Sequence, residues 1–233
     1  MAADPQRPIH DWRPDEPPPP GQRRALLRLT AALRQTIDLV MDTDAPEADI
    51  DAAAAALEAW NERLAAQPRG RPLRGYAEAS TAGNVRSVRD NSAVTGALNP
   101  IAPPMTFRVF DDHVTGEGVI GIPYEGPPGH VHGGVTAMIF DELLGLAQSL
   151  TGQSGMTGTL TVRYRKPTPL GQPLAFRGVV DRVEGRKIFA SATLHANGVL
   201  CAESDGVFIS VARDTFTNLA EQTGRPPLPE RNA

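Results

Sequence analysis

Apolar side chains return every three or four residues across positions 21–67. Leu26, Leu29, Leu33, Ile37 and Val40 form one stripe, and Leu57, Trp60 and Leu64 another. This spacing predicts two helices, parted at Asp44-Ala45-Pro46. They read as an αα-hairpin, or as an arm packed on the rest of the chain or on a partner subunit. From residue 105 the period becomes two. Strands are expected over 105–110, 114–122, 157–165, 173–183, 187–196 and 200–211. Turn signals at 183–186 and at Ala196-Asn197-Gly198 join antiparallel neighbours. Residues 123–134 hold too much glycine and proline for regular structure, and a helix is expected over 133–150. The order ββαββββ is an α+β arrangement without parallel crossovers.

The remaining segments are read from composition. Residues 1–20 end in four prolines and are expected to be disordered. Residues 68–104 read as a long connection, with 99–104 extended because residues before proline leave the α region. The expected organisation is a Pro-rich start (1–20), a helical extension and linker (21–98), a main domain (99–212) and a fraying tail (213–233).

Charge and composition narrow the function. A net charge of -4 argues against a general nucleic-acid binder. No apolar run of spanning length occurs, and the opening residues lack the apolar core of a secretory signal. The single cysteine, Cys201, points to a reducing cytoplasm. His130 and His132 are a close histidine pair without the Cys or carboxylate set of a zinc site, so no metal is expected.

The 133–150 helix is apolar on almost every side, which predicts burial beneath a curved sheet. It nevertheless contains Asp141 and Glu142. A buried carboxylate is costly unless paired, so each reads as a candidate acid/base group or as a structural carboxylate. Asp141 shares a stripe with Gly134, Met138, Gly145 and Gln148, whose glycines leave room for a ligand. Glu142 lies on a bulkier stripe and is expected at a sheet edge or subunit seam. Free N–H groups at Gly133 and Gly134, at the positive helix end, suit a developing oxyanion. Asp141 lies eight residues beyond Gly133, about 12 Å along a helix. One reacting carbonyl carbon cannot meet both on one chain. The expected site therefore lies between twofold-related subunits, Gly133 of one facing Asp141 of the other.

The stretch from Glu125 through His132-Gly133-Gly134 to Asp141, then 157–167 and 183–187, resembles hotdog-fold acyl-CoA thioesterases of the HGG…D branch. Within them it is most similar to phenylacetyl-CoA-type bacterial enzymes and mammalian thioesterase-superfamily members. The resemblance covers about residues 99–212 and implies a curved antiparallel sheet wrapped around one long helix. It implies hydrolysis of acyl-CoA without a cofactor. Asp141 takes the role of nucleophile or general base, and the Gly133 N–H that of oxyanion donor. Thr157 orients the water or carboxylate, and His132 positions the loop or the thioester sulfur. Some relatives carry Asn or Gln six residues before this histidine; here the residue is Gly126. Coenzyme A phosphates need cations, for which Arg163, Arg165, Lys166, Arg182, Arg186 and Lys187 are candidates, with Gly134 as a further substrate contact. The resemblance implies a homodimer or dimer of dimers. A hotdog hydratase using His130 or His132, and an acyl-CoA binder without turnover, are the alternative readings. Acyl-chain preference and the role of residues 21–67 are not legible.

Overall fold

A computed structural model describes residues 21–67, 92–153 and 155–212, with the isolated positions Asn218 and Gln222. The expectations for residues 1–20, for 68–91 of the connection and for nearly all of the tail fall outside these residues. Two helices, α1 (Gln22–Asp42) and α2 (Glu47–Ala65), precede strands β1 (Met105–Val109) and β2 (His113–Val119). A 3-10 turn at Ile122–Tyr124 leads through a loop to α3 (Gly133–Ser149). Strands β3 (Gly155–Tyr164), β4 (Pro173–Glu184), β5 (Lys187–Ala196) and β6 (Val199–Ser210) follow. β2 stops short of the expected residue 122 because Pro123 has no N–H for a ladder and favours the 3-10 turn.

The six strands form one antiparallel sheet in the order β1-β2-β4-β5-β6-β3. α3 packs across it against β4, β3, β5 and β2. This is the hotdog arrangement. Small residues shape the seat of the helix. Gly178 lies where a Cβ would stand 3.2 Å from Leu143, and Gly206 where it would stand 3.1 Å from Leu144. Ala190, Ala192 and Ala202 keep the neighbouring positions shallow and buried. Leu143, Leu144, Ile139 and Phe140 are thereby fully buried, with Phe140 edge-on to Phe176 at 5.4 Å. The β5–β6 hairpin turns at Asn197 (φ 49) and Gly198 (φ 76), the two left-handed positions of a tight turn.

Residues 97–104 are not extended but coil through turns. Asn99 precedes Pro100, and Ala102 N–H donates to Asn99 O at 3.2 Å. Asn followed by Pro is a turn signature: proline presets its own φ, and the asparagine oxygen accepts from Ile101 N–H at 3.2 Å. The preceding residues also pack inward, with Val94 in the core and Ser92 and Thr95 buried. Ser92 is the hub of this segment. Its hydroxyl accepts from the Val94 and Thr95 N–H groups at 3.1 Å each and donates to Glu142 Oε1 at 3.2 Å. Thr95 Oγ1 also donates to Glu142, at 3.0 Å. Glu142 thus anchors its own chain's 92–99 turn. Ser92→Ala leaves two buried N–H groups without their acceptor. It is expected to cost about 1–3 kcal/mol, read as a lower urea midpoint; an unchanged midpoint would refute this hub.

α1 docks on that turn. Arg34 Nη2 donates to Gly96 O at 2.8 Å and Asn99 O at 2.7 Å, and Tyr124 Oη donates to Ile101 O at 3.1 Å from the other side. Burial pushes the Tyr124 phenol above its ordinary range. α2 buries none of its residues. Of the readings for this region, the arm on the main domain describes α1. Among the described residues no helix is long and apolar enough to cross a membrane.

Candidate active site

The loop before α3 sets the helix start. Gly126 N–H donates to His130 O at 2.9 Å, and His132 N–H donates to Tyr124 O at 2.9 Å. A Cβ on Gly126 would lie 2.7 Å from His132 Cα. Position 126 is therefore closed to a side chain in this loop.

His132 is the N-cap of α3. Its extended backbone (φ -60, ψ 133) lets its carbonyl accept from Val135 N–H at 3.0 Å and Thr136 N–H at 3.2 Å. Its Nδ1 accepts from Gly134 N–H at 3.0 Å. The expectation of two free donors is thus corrected: Gly134 N–H is spent on the cap, because an N-cap side chain reaches that amide. Among the described residues nothing accepts from Gly133 N–H. The acceptor role of Nδ1 assigns the ring proton to Nε2. His132→Ala is expected to lose about 1 kcal/mol of stability, and His132→Asn, which caps equally well, to lose less. Equal denaturation midpoints for wild type and Ala would remove the cap from consideration.

Asp141 is exposed in the single chain, not buried as the helix pattern implied. One sheet covers only one side of a helix, and the Gly134–Asp141 side is the open one. The stripe submerges only further along, at Gln148. Thr157 Oγ1 donates to Asp141 Oδ1 at 2.8 Å, so the structure brings these two candidates together. A register slip makes this possible. Leu160 and Val162 pack towards the core, and strict alternation would send Thr157 to the other face. The pairing of β3 with β6 shifts between Thr157 and Thr159, so Gly158 is the extra residue that turns Thr157 back towards α3.

The helix start opens on a cavity of about 360 Å³ lined by Gly133, His130, Thr136, Tyr164, Arg165 and Lys166, among others. Tyr164 Oη donates to Gly133 O at 2.7 Å. Tyr164 ends the alternating face of Leu160 and Val162 in the sequence, and a tyrosine at the end of an inward face, with a hydroxyl to satisfy, was the available signal for its role. Of the cationic candidates, Arg163 pairs with Asp205 and Arg165 with Glu203 at 2.6 Å. Arg186 and Lys187 sit at the other end of the sheet. Ile188 and Thr157 both pair with Phe208, whereas Tyr164 pairs with Ala202. One chain therefore separates the two clusters: Lys166 and Arg165 line the cavity beside Gly133, and Arg186 and Lys187 lie at the opposite, Thr157 end of the sheet. Arg182 lies 3.6 Å over the Phe189 ring and bonds Glu184. No group of three or more potential metal ligands occurs among the described residues.

Comparison with known proteins places this geometry. The family model described as "Thioesterase superfamily" matches residues 128–202. A crystal structure described as that of a thioesterase superfamily protein is 35% identical, with a TM-score of 0.72. The alignment covers 83% of this chain and 94% of that one. This chain belongs to the thioesterase superfamily. The superfamily segment of 128–202 runs from the loop before the N-cap to the middle of β6, so it contains Gly133, Asp141 and Thr157. Two proteins named acyl-coenzyme A thioesterase THEM4 are also similar. The one from Xenopus laevis is 38% identical over 92 residues, 38% of this chain and 41% of its own length. The one from Bos taurus is 36% identical over 94 residues, 39% of this chain and 38% of its own length. The match thus spans about two fifths of these curated relatives.

Proposed function

We propose that this superfamily member hydrolyses an acyl-CoA thioester to the free acid and coenzyme A, in a site shared by two copies of the chain. The observation that carries the reading is a divided one. The Thr157–Asp141 pair lies on the uncovered face of α3, and the Gly133 amide, without an acceptor among the described residues, lies at its start. They are about 12 Å apart along the helix. A twofold partner laid antiparallel on that face supplies the missing half to each site. The names of the THEM4 relatives support the substrate class.

In this reading the thioester carbonyl oxygen sits against Gly133 N–H of one protomer. Asp141 of the other acts in one of two ways. As general base it takes a proton from water, whose oxygen bonds to the acyl carbon. As nucleophile its carboxylate attacks, and water then cleaves the resulting anhydride. Charge on the oxyanion is held by the amide and the positive end of α3. The C–S bond breaks, and the coenzyme thiolate leaves and takes up a proton. The hydroxyl of Thr157 holds one carboxylate oxygen so that the other faces the substrate. Lys166 and Arg165 are the nearer candidates for coenzyme phosphates beside Gly133, with Arg163 beyond them. Arg186 and Lys187 lie at the other end of the sheet from Gly133 and are the remoter candidates. The chemistry draws on no metal or redox group, and a reducing cytoplasm suits it.

The test is thiol release from a panel of acyl-CoAs of different chain length and headgroup. The reading requires turnover of at least one; binding of acyl-CoA without any thiol release would replace it with a non-hydrolytic binder.

A further inference from the structure

The start of α3 is held more tightly than its sequence suggests. Gly133 and Gly134 are consecutive, and glycine pairs leave the backbone its widest freedom. Yet the peptide between them is tied at both ends: its carbonyl, Gly133 O, accepts from Tyr164 Oη at 2.7 Å, and its amide, Gly134 N–H, donates to His132 Nδ1 at 3.0 Å. Upstream, His132 N–H is tied to Tyr124 O at 2.9 Å. The Gly133 N–H therefore sits between two pinned peptides. Of the other ties, one comes from the 3-10 turn just upstream and one from the helix's own cap, whereas Tyr164 reaches in from the sheet, at the far end of β3, 31 residues away.

We infer that Tyr164 is a positioning residue for the Gly133 oxyanion donor. The inference rests on the thioesterase reading proposed above. A helical carbonyl has a second lone pair beyond the one used by its own helix, and Tyr164 occupies it at Gly133. The contact couples the donor to the sheet, whose inner face also carries Thr157. Close packing supports this: a Cβ on Gly133 would stand 3.2 Å from the phenol oxygen. An oxyanion donor works only when it lies within a few tenths of an ångström of its target. A looser glycine pair therefore weakens transition-state contact while leaving ground-state binding largely unchanged.

Tyr164→Phe removes only the hydroxyl from an exposed ring, so the fold is preserved. With the acyl-CoA that the wild type cleaves fastest, kcat is expected to fall about tenfold, with KM within about twofold. In the unliganded protein, amide exchange at Gly134 is expected to quicken while the melting temperature stays level. Unchanged kcat would overturn the assignment. A raised KM at constant kcat would make Tyr164 a substrate contact instead. Slower turnover without faster Gly134 exchange, or a general loss of stability, would likewise remove it. If the wild type cleaves no acyl-CoA, the parent reading fails, and the Gly134 exchange rate still decides whether Tyr164 pins the helix start.

Discussion

Asp141→Asn leaves the fold intact and lowers kcat for acyl-CoA hydrolysis by about 10²–10⁴-fold, the range for losing an essential base or nucleophile. The amide keeps the carboxylate's shape, and its oxygen can still accept from Thr157 Oγ1, which bonds Asp141 at 2.8 Å. What it loses is the charge and lone pair that take a proton or attack carbon. Because Asp141 is exposed in the single chain, the change removes no buried pairing, and the melting temperature is expected to hold. Thiol release and thermal denaturation measured together make the check. A variant retaining more than a third of wild-type kcat would end the claim for Asp141. Label found in the Asp141 carboxylate after single-turnover hydrolysis by the wild type in ¹⁸O water would establish the nucleophilic role, since only an anhydride opened at the aspartyl carbon places it there.

Gly133→Pro is expected to lower kcat by about 10²–10³-fold, as deletion of one oxyanion donor does. Proline suits this position for three reasons. Gly133 is the first helical residue after the N-cap, where proline is favoured. His132 already has the extended backbone required before proline. Among the described residues Gly133 N–H has no acceptor to lose. Gly133→Ala is the control for crowding of Tyr164, because it adds a Cβ and keeps the N–H. An alanine variant as slow as the proline variant would assign the loss to crowding. The proline variant also tests the shared site. In a dimer of one Gly133→Pro and one Asp141→Asn protomer, one site is doubly impaired and the other is whole. Random mixing makes half the dimers mixed, so unfolding and refolding the two variants together should restore about a quarter of wild-type activity. Activity no higher than that of the separate variants would show that each site draws on one chain.

Much of this architecture was legible from the chain, because periodicity reports local geometry. The 3.6-residue stripe placed α3 at Gly133–Ser149 within a residue of the expected end, and Asn197-Gly198 marked its hairpin. The expected span of β5, 187–196, is the observed one. Residues 99–104 depart from the extended expectation because Asn99 turns the segment, accepting from the Ile101 and Ala102 N–H groups, which what proline forbids does not reveal. Gly134 was counted as a donor because its cap comes from a histidine, an uncommon N-cap residue. The stripe of Glu142 carries no sign of its partners Ser92 and Thr95, which lie 50 and 47 residues upstream.

Order and type of elements, the apolar helix with its carboxylate, and the glycine pair at its start follow from the sequence alone, since each depends on neighbours within one or two turns. Only the tertiary structure decided which side of that helix stays uncovered and which N–H has no acceptor among the described residues. It also decided that a slipped residue at Gly158 swings Thr157 onto Asp141, and that Tyr164 reaches Gly133. Those outcomes depend on layers and hydrogen bonds joining residues 16 and 31 positions apart. A side-chain pattern states which way a residue faces along its own element, and it carries no record of what will stand opposite.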